Sequence, residues 1–365
     1  MRLTVILPTY NRSDLLGRAL AGLLDQTAAP ESYEIVVVDD GSTDGTAEVV
    51  AEVGAPESRL RYFRQENKGP AAARNLGVRE ARGEIVLFTG DDCLPDKRLL
   101  EEHLRAHAGE AEVGVIGHVT WHPELEITPF MLFLEQGAQF GFSKIEDPEN
   151  VPAWFFYTAN CSVGRHWVEE AGGFDEDFKQ AAFEDVELAY RMQQRGLRMV
   201  YRPQARTYHH HATTLEQHLL RQRICGRSAA RLWRKHPELK MEVGVGHSAR
   251  STTALKLFEA ASEYAYALGV RDGVRGEEPP LDDELKALWS DEELAEAGRA
   301  WVREVFGPVD PDKEELVKLR AELQRTKQEW ERVRSRRLYR WSEGLAHAGW
   351  WVLGKLGLGR GARPR

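Results

Sequence analysis

The chain has 365 residues, of which 42% are hydrophobic, and a formal net charge of -9. This length accommodates one large α/β domain with a smaller appendage, and the acidic balance argues against nucleic acid as a general partner. No apolar stretch is long enough to span a bilayer. The first residues lack the long apolar region and the small-residue cleavage site of a signal peptide. These features predict a cytoplasmic protein.

Continuous apolar runs predict three buried parallel strands. A helix through Leu24, capped by Asn11 or Ser13, would follow the first run. A second helix, across residues 47–53, would follow the next run. This alternation of strands and helices predicts a doubly wound α/β sheet. The predicted strands cover residues 3–7, 34–38 and 84–88.

Polar residues follow each of these strands, at the edge where ligands bind in such sheets. Asp91 and Asp92 offer the hard oxygen ligands that suit Mg²⁺ or Mn²⁺. Alternatively, they form a turn that caps a helix beginning near Pro95. Asp39 and Asp40 would clamp a nucleoside, or one of them would cap an ordinary strand-to-helix turn.

Three later patterns also allow two interpretations each. Lys68 and Arg74 lie in a run of small residues. The small residues would allow a ligand to approach closely, and the two cations would favour its phosphates. Alternatively, the run is a loop that opens an alanine-rich helix. Glu184 and Asp185 begin a predicted helix. One of these carboxylates would act as a general base, or both only stabilise the start of the helix through its dipole. One imidazole of the run from His209 to His211 would complete a metal shell, or the run is solvated.

Taken together, these motifs resemble the inverting nucleotide-sugar glycosyltransferases of family 2, which have the GT-A fold. The resemblance covers residues 1–225. The family often has an Asp-x-Asp triplet, and Gly90 takes its first position here, which leaves metal dependence open. The Gln-x-x-Arg-Trp motif of processive synthases is missing, so a single-addition enzyme is favoured. The motifs in chain order are Pro8–Arg12, Val38–Ser42, Asn67–Gly69 with Arg74–Asn75, Asp91–Asp92, Gly173–Asp175 with Glu184–Asp185, and His209.

The resemblance implies a role for each matched residue. Asp92 and His209 would hold Mn²⁺ or Mg²⁺. Asp185, or alternatively Glu184, would be the general base. The implied enzyme is a hexosyltransferase that moves a sugar with inversion from a nucleotide-diphosphate donor, UDP-sugar favoured, to a glycan or lipid-linked hydroxyl in cell-envelope polysaccharide or glycan synthesis. The implied nucleotide-binding residues are Thr9, Tyr10, Arg12, Asp39, Asp40, Lys68, Arg74 and Asp91.

Two other functions are compatible with parts of the sequence. A sugar-nucleotide nucleotidyltransferase would share the fold but would need a glycine-rich basic loop after the first strand. Residues 9–12, Thr-Tyr-Asn-Arg, contain no glycine. A non-catalytic carbohydrate- or membrane-binding module has no need for carboxylates clustered at separate strand ends.

The remaining chain divides into a helical extension over residues 226–333 and a basic tail over 334–365. Arginines and the pair Trp350 and Trp351 in this tail suit an anionic membrane surface, which would place the enzyme peripherally at the inner face of the membrane. Alternatively, the tail docks on the body of the protein. Apolar spacing between Leu316 and Val333 would allow a short helix pair between protomers or packing within one chain. Helical patterns cover residues 215–236, 250–270, 282–305 and 312–340.

Overall fold

A computed structural model of the chain describes residues 1–241, apart from 55–58, 110–111, 128–130, 132–133 and 136–138. The predicted helices beyond this region, the predicted protomer contact and the basic tail lie outside the described residues. Within the described part of the chain, no helix has the length and the apolar character needed to cross a membrane.

Four parallel strands form the first half of the sheet, in the order β3-β2-β1-β4. They are β1 (Leu3–Thr9), β2 (Tyr33–Asp39), β3 (Leu60–Arg64) and β4 (Ile85–Thr89). β1, β2 and β4 match the predicted apolar runs, and their side chains are almost entirely buried. β3 was not predicted, because Arg61 interrupts its apolar residues and leaves no continuous run.

Helices cover both faces of these strands, which explains why the strands are apolar throughout. The three helices between them are α1 (Ser13–Leu24), α2 (Thr46–Gly54) and α3 (Pro70–Glu80). On one face, Leu16 and Leu20 of α1 pack with Val5 of β1. On the other, Ala73 of α3 packs with Val36 of β2. The predicted α/β fold is confirmed, whereas the predicted cap of α1 is wrong, because Arg12 occupies that position without a side-chain cap.

The second half of the sheet is mixed and was predicted only in part. It contains β5 (Cys93–Pro95), β6 (Val113–Trp121), β7 (Asn160–Gly164) and β8 (Arg198–His209). β7 runs antiparallel to both β4 and β6, and β5 runs antiparallel to β8. The described residues thus form an eight-stranded sheet in the order β3-β2-β1-β4-β7-β6-β8-β5.

Four further α-helices lie in the described region: α4 (Leu99–Ala106), α5 (Arg165–Glu170), α6 (Glu184–Gln194) and α7 (Leu215–Lys235). α7 confirms the helical pattern predicted over residues 215–236. Its first turn is fixed by a capping box, in which Thr214 and Gln217 exchange side-chain-to-backbone hydrogen bonds. The predicted domain boundary at residue 225 falls inside this helix and stays a prediction. Short 3₁₀ turns cover Pro30–Ser32, Phe142–Lys144, Ala153–Phe155 and Pro237–Met241.

Candidate active site

The carboxyl ends of β1, β2 and β4 meet at one edge of the sheet. The hydroxyl of Thr9, at the end of β1, donates to the Asp91 carboxylate over 2.8 Å. The backbone carbonyl of Thr9 accepts from the amide of Asp40 over 2.9 Å. One residue of β1 therefore connects the aspartates that follow β2 and β4. The structure brings together the three polar runs that the sequence placed at this edge.

The turn after β1 is held against the turn after β2. Asn11 has a positive φ of 52°, which is uncommon for a residue other than glycine. Its side-chain oxygen accepts from the Thr43 amide at 2.8 Å, and its own amide donates to the Ser42 hydroxyl at 2.9 Å. The neighbouring Tyr10 is left 48% exposed at this edge, available to a flat ligand such as a nucleobase.

The Asp39 carboxylate is held by the unpredicted strand β3. Tyr62 in β3 donates its hydroxyl to Asp39 over 2.6 Å, and the Ser42 amide donates over 2.7 Å. Burial and the Asp39 carboxylate raise the pKa of Tyr62 well above its usual value, so the phenol keeps its proton and remains a donor. The adjacent aromatic residues in 60–64, Leu-Arg-Tyr-Phe-Arg, were the available sequence signal for this strand.

Asp40 organises the loop that carries Lys68. Its two oxygens accept from the Gln65 side chain at 2.7 Å, the Lys68 amide at 3.0 Å and the Gly69 amide at 2.8 Å. Gly69 has a φ of +92°, and a Cβ there would lie 2.9 Å from the Lys179 carbonyl. The loop therefore needs both the Asp40 carboxylate and a glycine to keep the exposed Lys68 at the start of α3.

Asp91 and Asp92 form an acidic pair that one arginine contacts. Arg12 Nη1 lies 2.5 Å from Asp92 Oδ2 and 3.7 Å from Asp91 Oδ1. Burial, and then the neighbouring charge of Asp92, raise the pKa of Asp91 to about 6. The interpretation of this pair as a helix cap is wrong, because Pro95 lies in β5 and α4 begins only at Leu99.

The residues beside Asp92 fit a divalent cation. His209, at the end of β8, places Nε2 3.5 Å from Asp92 Oδ2. Its Nδ1 is buried and has no hydrogen-bond partner among the described residues, and burial lowers the pKa of this imidazole. A neutral ring beside a carboxylate is a donor set that Mn²⁺ accepts.

Gly90 explains the departure from the Asp-x-Asp triplet in structural terms. A Cβ at this position would lie 2.8 Å from Asp92 Oδ1. A side chain there would collide with the carboxylate in its present rotamer. Glycine therefore leaves Asp92 room to turn toward Arg12 and His209.

Arg74 and Asn75 connect α3 to α6 and to the loop that precedes α6. Arg74 Nη1 donates to Glu184 Oε1 at 2.8 Å in a buried ion pair. The Asn75 amide exchanges hydrogen bonds with both backbone groups of Phe174, at 2.8 and 2.9 Å. The motifs around residues 74–75, 173–175 and 184–185 are thus one packed unit. Burial and the charge of Asp185 raise the pKa of Glu184 to about 7, although Arg74 opposes this shift.

Asp185 lies at the same edge of the sheet as the acidic pair. The amide and hydroxyl of Thr158 approach Asp185 Oδ2 at 3.3 and 3.5 Å. Thr158 comes just before β7, whose first residue, Asn160, pairs with Thr89 at the end of β4. Since Asp91 lies shortly after the end of β4, the segments that contain Asp91 and Thr158 adjoin, and Thr158 contacts Asp185. Thr158 had no recognisable signal in the sequence.

Known proteins resemble this chain in sequence and in fold. A family model described as glycosyl transferase family 2 matches residues 4–166. Validoxylamine A glucosyltransferase from Streptomyces hygroscopicus subsp. limoneus is 34% identical over 274 residues, covering 66% of this chain and 58% of that protein. Chondroitin synthase from Escherichia coli is 29% identical over 227 residues, covering 53% of this chain and 32% of that protein. The chain thus spans less than two thirds of the length of these relatives.

A solved structure shares the fold. The mannosyltransferase PcManGT from Pyrobaculum calidifontis, in complex with GDP-Man and Mn²⁺, superposes with a TM-score of 0.52 at 20% identity, covering 84% of this chain and 88% of that one. The sequence match and the shared fold lead to one conclusion. Residues 4–166 match glycosyl transferase family 2, and the chain shares the GT-A fold.

Proposed function

We propose that this glycosyltransferase moves a hexose from a nucleotide-diphosphate donor, UDP-sugar favoured, to a hydroxyl of a glycan or lipid-linked acceptor, with inversion and by single addition. The pathway we propose is cell-envelope polysaccharide or glycan synthesis. The observation that carries the proposal is the adjacency of the acidic pair, Asp91 and Asp92, to Asp185 across the β4–β7 pairing. A donor site and a proton acceptor at one sheet edge are what a direct sugar transfer requires.

The donor would lie across the ends of β1, β2 and β4. Tyr10 would cover the base, and Asp39 would accept from a base N–H or a ribose hydroxyl. The Asp91 carboxylate would face the ribose, while Arg12, Lys68 and Arg74 supply positive charge toward the nucleotide. The names of the relatives, a glucosyltransferase and a chondroitin synthase, support sugar transfer as the class of reaction.

Asp92 and His209 would hold a divalent cation, Mn²⁺ or Mg²⁺. Such a cation would stabilise the charge that builds on the leaving diphosphate. The carboxylate of Asp92, 3.5 Å from His209 Nε2, supports this assignment.

Asp185 would take the proton from the attacking hydroxyl. It is only half-buried, whereas Glu184 is 1% exposed and already accepts from Arg74. An acceptor hydroxyl therefore has access to Asp185 before it has access to Glu184. Attack from the face opposite the diphosphate in one displacement would invert the anomeric configuration.

Nucleotide binding tests the donor assignment. Thermal unfolding of the full chain should be recorded with UDP, GDP, ADP, CDP and dTDP, each with and without Mn²⁺. We expect UDP with Mn²⁺ to raise the Tm most, because a ligand that binds only the folded state stabilises it by mass action. The Asp92→Asn variant should lose the Mn²⁺-dependent part of the rise in Tm. Asp96 is a nearby loop aspartate, and the Asp96→Asn variant should keep the full rise. A larger shift with another nucleotide would change the donor, and no shift with any would refute the proposal.

A further inference from the structure

A second cluster of metal-binding side chains lies at the ends of β6 and β8, separate from Asp92 and His209. It consists of His122, Glu124 and His210, and is called here the two-histidine cluster. Each residue offers one ligand atom, and these atoms all lie within 4.8 Å of one another. The centroids of the two imidazole rings are 4.8 Å apart. Neither His122 nor Glu124 appears in the motifs that assign the donor site.

The backbone fixes both histidines of the cluster. The amide of His122 donates to the His209 carbonyl at 3.0 Å, which extends the β6–β8 pairing by one residue. The amide of His210 donates to the Asp92 carbonyl at 2.7 Å. The side chains of His122 and His210 are only 14% and 18% exposed. Two imidazoles held rigidly in this way lose little freedom on binding a metal.

Arg18 of α1 occupies the position of a cation in this cluster. Its guanidinium lies 2.7 Å from Glu124 Oε2 and 3.0 Å from His210 Nε2. An arginine has only donors, so His210 Nε2 must accept and must direct a lone pair into the cluster. The Arg18 side chain is 43% exposed and has room to leave.

We propose that the two-histidine cluster binds a transition-metal ion of the Zn²⁺ type, and that Arg18 holds the site in the absence of the ion and swings into solvent when it binds. Two imidazoles and one carboxylate are a common zinc ligand set that leaves a coordination position for water. With two imidazoles, the set is softer than the pair Asp92 and His209, and it suits Zn²⁺ better than Mg²⁺. The site is independent of the proposed sugar transfer.

The position of the cluster gives the bound ion a structural effect. It would join the turn after β6 to the end of β8, through side chains from both segments. His210 is adjacent to His209 and is hydrogen-bonded to the backbone of Asp92. Zn²⁺ would therefore stabilise the end of β8, which carries His209, one of the two candidate donor-site metal ligands.

Zn²⁺ titration of the full chain, monitored by calorimetry and by competition with a chromophoric chelator, tests the proposal. We expect one tight site whose Kd rises at least about tenfold in His122→Ala, His210→Ala and Glu124→Gln, since each removes a ligand. Glu124 is 63% exposed, so its variant leaves the fold intact. Arg18→Gln should bind Zn²⁺ more tightly than the wild type.

Two control variants separate this site from its neighbours. His211→Ala removes the third histidine of the run and should bind Zn²⁺ like the wild type. Asp92→Asn should also retain Zn²⁺ binding. If Asp92→Asn abolishes Zn²⁺ binding while His122→Ala and Glu124→Gln retain it, the ion occupies the donor site and the proposal is wrong. Absence of tight Zn²⁺ binding in both the wild type and Arg18→Gln also overturns it.

Discussion

Arg12 donates to Asp92 across 80 residues of sequence, with 2.5 Å between Nη1 and Oδ2. The arginine immediately precedes α1, and the aspartate follows β4, so the sheet topology alone brings them together. The guanidinium stands where a divalent cation would reach the same carboxylate. Arg12 and the metal proposed at Asp92 therefore compete for one partner until a diphosphate offers the arginine another.

Replacing Arg12 by Met should separate these two interactions. Without nucleotide, the variant should bind Mn²⁺ more tightly, because the acidic pair loses its competing cation. A partly exposed ion pair contributes up to about 1 kcal/mol, which corresponds to about a fivefold change in Kd. UDP binding in the presence of Mn²⁺ should weaken in the same variant. Calorimetric titration measures both, and Arg165→Met, which removes a distant surface ion pair with Glu169, serves as control. Weaker Mn²⁺ binding without nucleotide would contradict the competition.

The identity of the base is tested by two neighbouring variants. Asp185→Asn should reduce kcat by about 10²- to 10⁴-fold while UDP affinity stays near the wild-type value, because the loss lies in proton transfer. Glu184→Gln keeps an oxygen for the Arg74 guanidinium and should retain most of the turnover. Steady-state kinetics measure the turnover of both variants, and nucleotide titration measures their UDP affinity.

Asp177→Asn is the matched control for the base, since this exposed aspartate contacts Lys235 and not the candidate active site. An inactive Glu184→Gln beside an active Asp185→Asn would exchange the two roles. Loss of nucleotide binding in Asp185→Asn would instead place this residue in the donor site.

The first half of the fold was predictable because its signals are local. Buried parallel strands produce continuous apolar runs, and the polar residues after β1, β2 and β4 mark the ligand edge directly. The second half of the fold was not predictable in this way, because β7 depends on pairing with strands far away in the sequence. β3 is short and is interrupted by Arg61, so it was overlooked, which also hid the contact between Tyr62 and Asp39.

Within the candidate site, residue types were easier to predict than their contacts. Asp39 and Asp40 look equivalent in the sequence. In the structure, Asp40 accepts from the loop that carries Lys68, while Asp39 accepts from β3. The contact between Thr158 and Asp185 spans 27 residues and left no pattern. Such assignments depend on tertiary packing, which no spacing rule contains.

The basic tail over residues 334–365 gives a prediction outside the described region. Full-length protein should co-sediment with vesicles that contain anionic lipid, and less so as salt screens the arginines. Replacing Trp350 and Trp351 by Ser, or Arg336 and Arg337 by Gln, should reduce the bound fraction. Neutral phosphatidylcholine vesicles are the control. Equal sedimentation of the wild type and both variants would favour a tail docked on the protein body.

The buried His103 should make the stability of the fold depend on acid pH. The Ser162 hydroxyl lies 2.7 Å from His103 Nδ1 and 2.8 Å from His107 Nε2. His103 also contacts the Asn160 side-chain oxygen at 2.9 Å. Burial lowers the pKa of His103 to about 4. This ring therefore stays neutral in the folded protein at pH values where the unfolded chain protonates it.

The sign of the effect follows from proton linkage. Between pH 6.5 and about 4 the unfolded state binds a proton at residue 103 that the folded state excludes, so the free energy of unfolding falls as the pH falls. The stabilisation is fully present above pH 6.5, and about 3 kcal/mol of it is lost by pH 4. His103→Gln cannot ionise and should show a correspondingly flatter profile, even if it is less stable at pH 7. Urea unfolding at several pH values measures the slope, with the half-exposed His166→Gln as control. Parallel profiles for the wild type and His103→Gln would show that protonation of His103 does not determine acid stability.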